Sequence, residues 1–194
     1  MSAHVMVPPV VRDLLIATSI GWIALEARQG LHRRAEGVSS DEGSYRFLRI
    51  STFVGWLVGV GVGRAVPAAA IHPERLWAWV GLVLLWCGIA LRFWSFHTLG
   101  RYFTFVVQTS PDQPVITAGP YRVVRHPSYA GILLAVVGIG LVIGNWLTLL
   151  IGTAGVLVGI VNRIAVEERA LSRELGDRYT AYAKTHKRLI PHVW

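Results

Sequence analysis

Arg163 and Glu167 stand four residues apart, and the chain reaches them straight from an apolar run. That spacing puts both side chains on one helix face. A guanidinium there can hold a carboxylate, and the carboxylate can accept hydrogen bonds from hydroxyl or amino groups. Ionisable groups at a bilayer boundary are costly to place and point to function by default. A second cluster lies at 119–131, GPYRVVRHPSYAG. Pro127 has no amide hydrogen and suits the first turn of a helix, which puts His126 at the cap. The open amides of a helix start, with Arg122, Arg125 and His126 beside them, favour an anion. A lipid phosphate or the carboxylate of a small ligand would fit. Interfacial anchoring, with Tyr121 and Tyr129 in an aromatic belt, explains the same residues without chemistry.

The elements that carry these residues are apolar. Of 194 residues, 53% are hydrophobic and only 15% charged, where a soluble domain is nearer a quarter charged. Apolar blocks at 9–25, 50–66, 76–96, 128–143 and 146–160 predict an all-α polytopic integral membrane protein of about five transmembrane helices. Gly144-Asn145 is a turn signal and makes the last two blocks a helical hairpin. A long amphipathic connection, 97–127, precedes the hairpin, and the tail from 162 begins as a continuation of its last helix. Residues 1–96 thus read as N-terminal transmembrane helices, and 97–194 as the functional core.

The formal net charge is +8, and the only lysines are Lys184 and Lys187. Basic residues crowd the first loop, the third connection and the tail, against Arg12, Arg64 and Arg75 on the other side. Positive charge stays cytoplasmic. The N-terminus is therefore expected outside, and the tail with every polar motif inside, at the cell membrane. Arginines placed between apolar blocks argue for topology rather than nucleic-acid binding. Cys87 is the single cysteine, which excludes an internal disulfide and a cysteine metal site; no metal is expected. The first residues lack the basic start and cleavage site of a signal peptide, so the first block is expected to remain as a span.

Gly55, Gly59 and Gly63, and Gly155 and Gly159, recur at four-residue spacing. Such spacing lets helix backbones approach closely, and packing within one chain is expected ahead of a dimer seam. GVGVG at 59–63 lies mid-span with no strand before it, so a dinucleotide fold is not supported. Glu168, Arg169, Arg173, Glu174, Asp177 and Arg178 follow the pattern of a solvated helix face. Tyr179 and Tyr182 are expected to pack the tail helix back on the membrane domain.

Several stretches together resemble the isoprenylcysteine carboxyl methyltransferase family and its relatives, the phospholipid methyltransferases. They are LGRYF at 99–103, VVQ at 106–108, VITAGPYRVVRHPSYAG at 115–131, RIAVEE at 163–168 and LGDRYTAYAKTHKRLIPHVW at 175–194. The resemblance covers roughly the C-terminal half. It implies an integral membrane methyltransferase using S-adenosylmethionine, with S-adenosylhomocysteine as product. It implies a cofactor site at Gln108, Gln113, Pro114, Val115, Ile116, Tyr121, His126, Pro127, Ser128, Tyr129 and Glu167. Arg163 matches the arginine that faces the substrate carboxylate, so Arg163 and Glu167 are the expected catalytic pair. Gln113 and Pro114 stand where relatives often have His and another polar residue, a position where backbone contacts could replace side-chain ones.

Methyl transfer to a carboxylate needs orientation and release from water rather than a general base. A lipidic or prenylated acceptor would enter sideways from the bilayer, among membrane lipids, and a soluble donor from the cytoplasm. N-methylation of an amine-bearing phospholipid is the alternative; it needs a carboxylate base such as Glu167 or Glu168, and Arg163 beside an ammonium would oppose it. A membrane sterol reductase using NADPH ranks lower, because no extra basic cluster for a 2′-phosphate stands out. A non-catalytic lipid-binding membrane protein would explain the arginines and tyrosines but not their co-occurrence with Gln108 and the RxxxE pair.

Overall fold

The computed structural model describes residues 7–30, 38–39, 41, 43–102, 108–109 and 114–194. Among the described residues the fold is helical apart from one minimal ladder. Helix α1 is Pro9–Gly30, α2 Ser44–Ala65, α3 Glu74–Leu99, α4 Pro127–Ile143, α5 Trp146–Leu175 and α6 Asp177–Thr185. Strands β1 (Val38–Ser39) and β2 (Gln108–Thr109) pair antiparallel, Val38 opposite Thr109. This ladder ties the α1–α2 connection to the connection that precedes α4.

The turns follow from residue type. Pro127 opens α4 at its first position, with His126 as the cap residue. Gly144 closes α4 at φ 77°, the left-handed region that glycine enters at low cost. Asn145 then caps α5, its side-chain oxygen accepting from the amides of Leu147 (3.0 Å) and Thr148 (3.1 Å). Its side-chain nitrogen donates to the carbonyls of Gly63 and Val66, both at 3.2 Å, which locks the hairpin to the end of α2.

Helix pairs α2/α5 and α3/α4 meet through glycine. A Cβ at Gly55 would lie 2.8 Å from the Gly155 Cα, and one at Gly59 only 3.1 Å from the Thr148 carbonyl. Gly159 seats Leu48 and Ser51 of α2 in the same way. The small-residue spacing is therefore packing within the chain. The α3/α4 seam repeats the device where Gly88 meets Gly131 and Gly81 meets Gly138, with hypothetical Cβ contacts to backbone of 2.5 Å. Leu82, Leu85, Ala135 and Val142, with Val11 of α1, fill one core cluster; Val136, Val156, Ile160 and Ile164, with Leu189 of the tail, fill another.

Helices α3 and α5 are long and apolar enough to cross a membrane, and α4 is a shorter apolar helix. Large apolar side chains also face outward, among them Ile20 and Ile23 on α1, Phe53 and Leu57 on α2, Trp79 on α3 and Leu150 on α5. At 30 residues, α5 is about 45 Å long, against a hydrocarbon core of roughly 30 Å. The apolar block ends at residue 160, and the tail continues its helix, as the sequence leads one to expect. The chain runs it unbroken to Leu175, because no breaker occurs before Gly176, which turns the backbone at φ 53°. The extra turns carry Arg163, Glu167 and Glu168 past the apolar segment.

Candidate active site

Two features bring the site together: the start of α4 and the far end of α5. Residues 124–126 are held by the tail, the amide of Arg125 donating to the Lys187 carbonyl (2.8 Å) and that of His126 to the Arg188 carbonyl (2.9 Å). Helix α6 closes the arrangement. The Tyr182 hydroxyl donates to the Tyr121 carbonyl at 2.7 Å, and Tyr179 and Tyr182 are both buried. Burial pushes the Tyr182 hydroxyl up to about 12, with the Arg125 charge opposing. The tail helix thus packs back as the paired tyrosines predict.

Arg163 is 2% exposed. Its Nε donates to the Tyr129 hydroxyl at 3.2 Å. Its Nη1 donates to the Ser44 hydroxyl at 2.7 Å and forms a close ion pair with Asp41. The Tyr129 hydroxyl in turn donates to Glu167 Oε2 at 2.8 Å. Arg163, Tyr129 and Glu167 therefore form a row along one face of α5, bridged by the first turn of α4. The ring of His126 stacks on that of Tyr129, centroids 5.7 Å apart, and its Nδ1 lies 3.9 Å from Glu167 Oε2.

Glu168 is not on a solvated face. Its carboxylate meets Arg125 Nη2 at 3.0 Å, Arg188 Nη2 at 2.9 Å and His126 Nε2 at 3.2 Å. The sequence pattern misleads here because the residues that cover Glu168 come from the α4 entry and the folded-back tail. The same contacts revise the expected anion site: Arg125 and His126 already serve Glu168, and Arg122 is exposed. Glu167, its side chain 30% exposed, remains the open carboxylate.

The other expected residues are placed as follows. Tyr121 and Pro127 are buried, and Val115 packs against Leu175, Tyr179 and Tyr182. Ile116 is partly buried and Pro114 exposed. The Ser128 hydroxyl accepts from Arg92 Nη1 of α3 at 2.7 Å, and Arg92 is itself paired with Glu26 of α1. Gln108 lies in β2. Gln113 is outside the described residues.

Asp41 and Ser44 are site residues that the sequence did not flag. The α1–α2 connection carries no signature, and its approach to α5 is a long-range contact. Burial pushes the Asp41 carboxyl up, but the Arg163 charge, the Tyr45 amide and the Ser44 hydroxyl outweigh it and hold it below its ordinary value. The Tyr179 hydroxyl and Arg125 Nε are buried without a hydrogen-bond partner among the described residues. They border the same region as donors able to meet a polar ligand. No group of three or more His, Cys, Asp or Glu suited to a metal occurs among the described residues.

The sequence pattern of the isoprenylcysteine carboxyl methyltransferase (ICMT) family matches residues 79–173. A probable protein-S-isoprenylcysteine O-methyltransferase of Oryza sativa subsp. indica is 34% identical over 131 residues, covering 64% of this chain and 69% of that one. The protein-S-isoprenylcysteine O-methyltransferase of Schizosaccharomyces pombe is 31% identical over 114 residues, 58% of this chain and 48% of that one. Among solved structures, the eukaryotic intramembrane Ras methyltransferase ICMT superposes with a TM-score of 0.55 at 26% identity. That match covers 78% of this chain and 53% of the solved one.

Proposed function

This chain belongs to the isoprenylcysteine carboxyl methyltransferase family and is a membrane methyltransferase, and we propose that it methylates the carboxylate of a prenylated or otherwise lipid-tailed acceptor. The observation that carries this reading is the row Arg163–Tyr129–Glu167, in which one buried cation and one open carboxylate are held at fixed separation by a shared hydroxyl.

S-adenosylmethionine fits the donor side, where it would supply a methyl group on a sulfonium sulfur. Glu167 offers an acceptor for the donor's ribose or amino group. The stacked His126 and Tyr129 rings, with buried Tyr121, offer aromatic faces suited to a sulfonium. The Tyr179 hydroxyl and Arg125 Nε supply two donors unmatched among the described residues. Pro127 fixes where α4 begins, and Val115, Ile116, Ser128, Gln108, Gln113 and Pro114 belong to the segments that would surround the donor. Arg163 orients the acceptor carboxylate, and its burial strips water from that carboxylate.

The supporting topology is five spans, α1 to α5, with the N-terminus outside and the site cytoplasmic. Residues 97–194 form the methyltransferase core, and residues 1–96 add the acceptor side, since Asp41 and Ser44 reach Arg163. A lipid-tailed acceptor would approach along the outward apolar faces.

The Asp41–Arg163 pair lends some support to an amine-bearing phospholipid as acceptor, because it neutralises the cation. An amine must lose a proton, however, and a carboxylate held below its ordinary value is a poor base. The carboxylate acceptor therefore stands first. The test is methyl transfer from labelled S-adenosylmethionine to N-acetyl-S-farnesylcysteine, with phosphatidylethanolamine in parallel. Base-labile label on the first alone is expected; label on the second alone would reverse the order.

A further inference from the structure

We propose that Asp41 stands in for the acceptor carboxylate on Arg163, so that acceptor binding exchanges one carboxylate for another. This rests on the functional reading above. Arg163 is fixed on α5 with its side chain 3% exposed, whereas that of Asp41 is 16% exposed. The pair is thus open from the Asp41 end. A buried guanidinium without a counter-charge is strongly unfavourable, so a site that must receive a carboxylate needs one of its own while it waits.

Asp41 is built for release. Oδ1 faces Arg163 and also accepts from the Ser44 hydroxyl at 3.1 Å, while Oδ2 accepts from the Tyr45 amide at 3.3 Å. The Ser44 amide donates to the Asp41 carbonyl at 2.8 Å. The bonds to the start of α2 do not need Arg163, so Asp41 has local partners when it yields the guanidinium. Ser44, whose hydroxyl also accepts from Arg163, and Tyr45, its ring centroid 5.9 Å from the guanidinium carbon, remain as the wall of the subsite.

The exchange sets specificity by charge. An anionic acceptor keeps the guanidinium of Arg163 paired with a carboxylate as it takes the place of Asp41. An ammonium cannot replace it, because two cations would then share the site. The cost is affinity: the apparent affinity for the acceptor falls by the fraction of protein in which Asp41 has left Arg163. Asp41 is therefore a specificity-determining residue supplied by a segment outside the recognised family motifs.

The test uses the full chain in detergent–lipid micelles, labelled S-adenosylmethionine and N-acetyl-S-farnesylcysteine. Asp41→Asn removes the competing charge and is expected to lower the KM for the farnesylcysteine by about fivefold or more, the change in kcat/KM being carried by KM. Binding of S-adenosylhomocysteine should not change. Should the Asn variant not fold, Asp41→Ser keeps an acceptor for the Tyr45 amide and is read in the same way. A KM that is unchanged or raised overturns the proposal. A fall in kcat at constant KM also overturns it and makes Asp41 a positioning residue for Arg163. Failure of the unmodified protein to methylate the farnesylcysteine, with S-adenosylhomocysteine still bound, would instead overturn the choice of acceptor, and the exchange with it.

Discussion

The Tyr129 hydroxyl donates to Glu167 across 2.8 Å while accepting from Arg163 at 3.2 Å. One phenol therefore sets the separation between the residue assigned to the acceptor and the residue assigned to the donor. Removing it as Tyr129→Phe leaves a buried cation and a carboxylate each short of one bond. A loss of about 1–3 kcal/mol in stability is expected, together with a fall in methyl transfer well beyond what the thermal melt accounts for. Turnover that survives intact would show that the bridge is structural only.

Glu167 and Glu168 are neighbours with opposite expected roles. Glu167→Ala should leave the protein folded in detergent and abolish S-adenosylhomocysteine binding. Glu168→Ala strands Arg125, Arg188 and His126, and breaking such a cluster costs about 3 kcal/mol or more. A thermal melt of both variants separates the two roles.

The glycine seams give a prediction about folding alone. Gly88→Ala places a methyl 2.5 Å from the Gly131 carbonyl across α3/α4 and should cost about 1–3 kcal/mol. Gly61→Ala, with nothing within 4 Å of the added Cβ, should be neutral or gain up to about 1 kcal/mol of helix propensity. Thermal melts in the same detergent compare the two.

Asp41 also predicts a pH dependence. Its carboxyl is held below its ordinary value of 3.8, burial opposing and the Arg163 charge prevailing. A depressed carboxylate contributes stability above its unfolded value, and that stability is lost as pH falls through the folded one. The melting temperature of the unmodified protein should exceed that of Asp41→Asn at pH 7, by roughly 1–3 kcal/mol of stability. The gap should persist down to about pH 4 and close below it. A gap that closes near neutrality would assign the effect to another group.

Much of this architecture is written locally. Pro127 marks the start of α4, Gly144-Asn145 the hairpin, and the four-residue glycine spacing the α2/α5 seam, because each is a rule about neighbours in sequence. Arg163 and Glu167 stand out for the same reason: charge four residues apart beside an apolar run. The contacts that complete the site are not local. Asp41 and Arg163 are 122 residues apart, and Arg92 and Glu26 are 66; no periodicity connects them. Glu168 reads as solvated because its amphipathic neighbours do, and only the return of the tail to residues 124–126 covers it. The continuation of α5 beyond residue 160 is legible, because the switch from apolar to polar composition changes the surroundings of a helix without ending it and no breaker occurs before Gly176.

The most direct measurement is calorimetric binding of S-adenosylhomocysteine to the purified protein and its Glu167→Ala variant in detergent, with NADPH as a parallel ligand. Saturable binding to the unmodified protein, lost in the variant and absent for NADPH, is expected. Folded protein that binds no S-adenosylhomocysteine, or a variant that binds it undiminished, would contradict the assignment of the α4–α5 junction as the donor site.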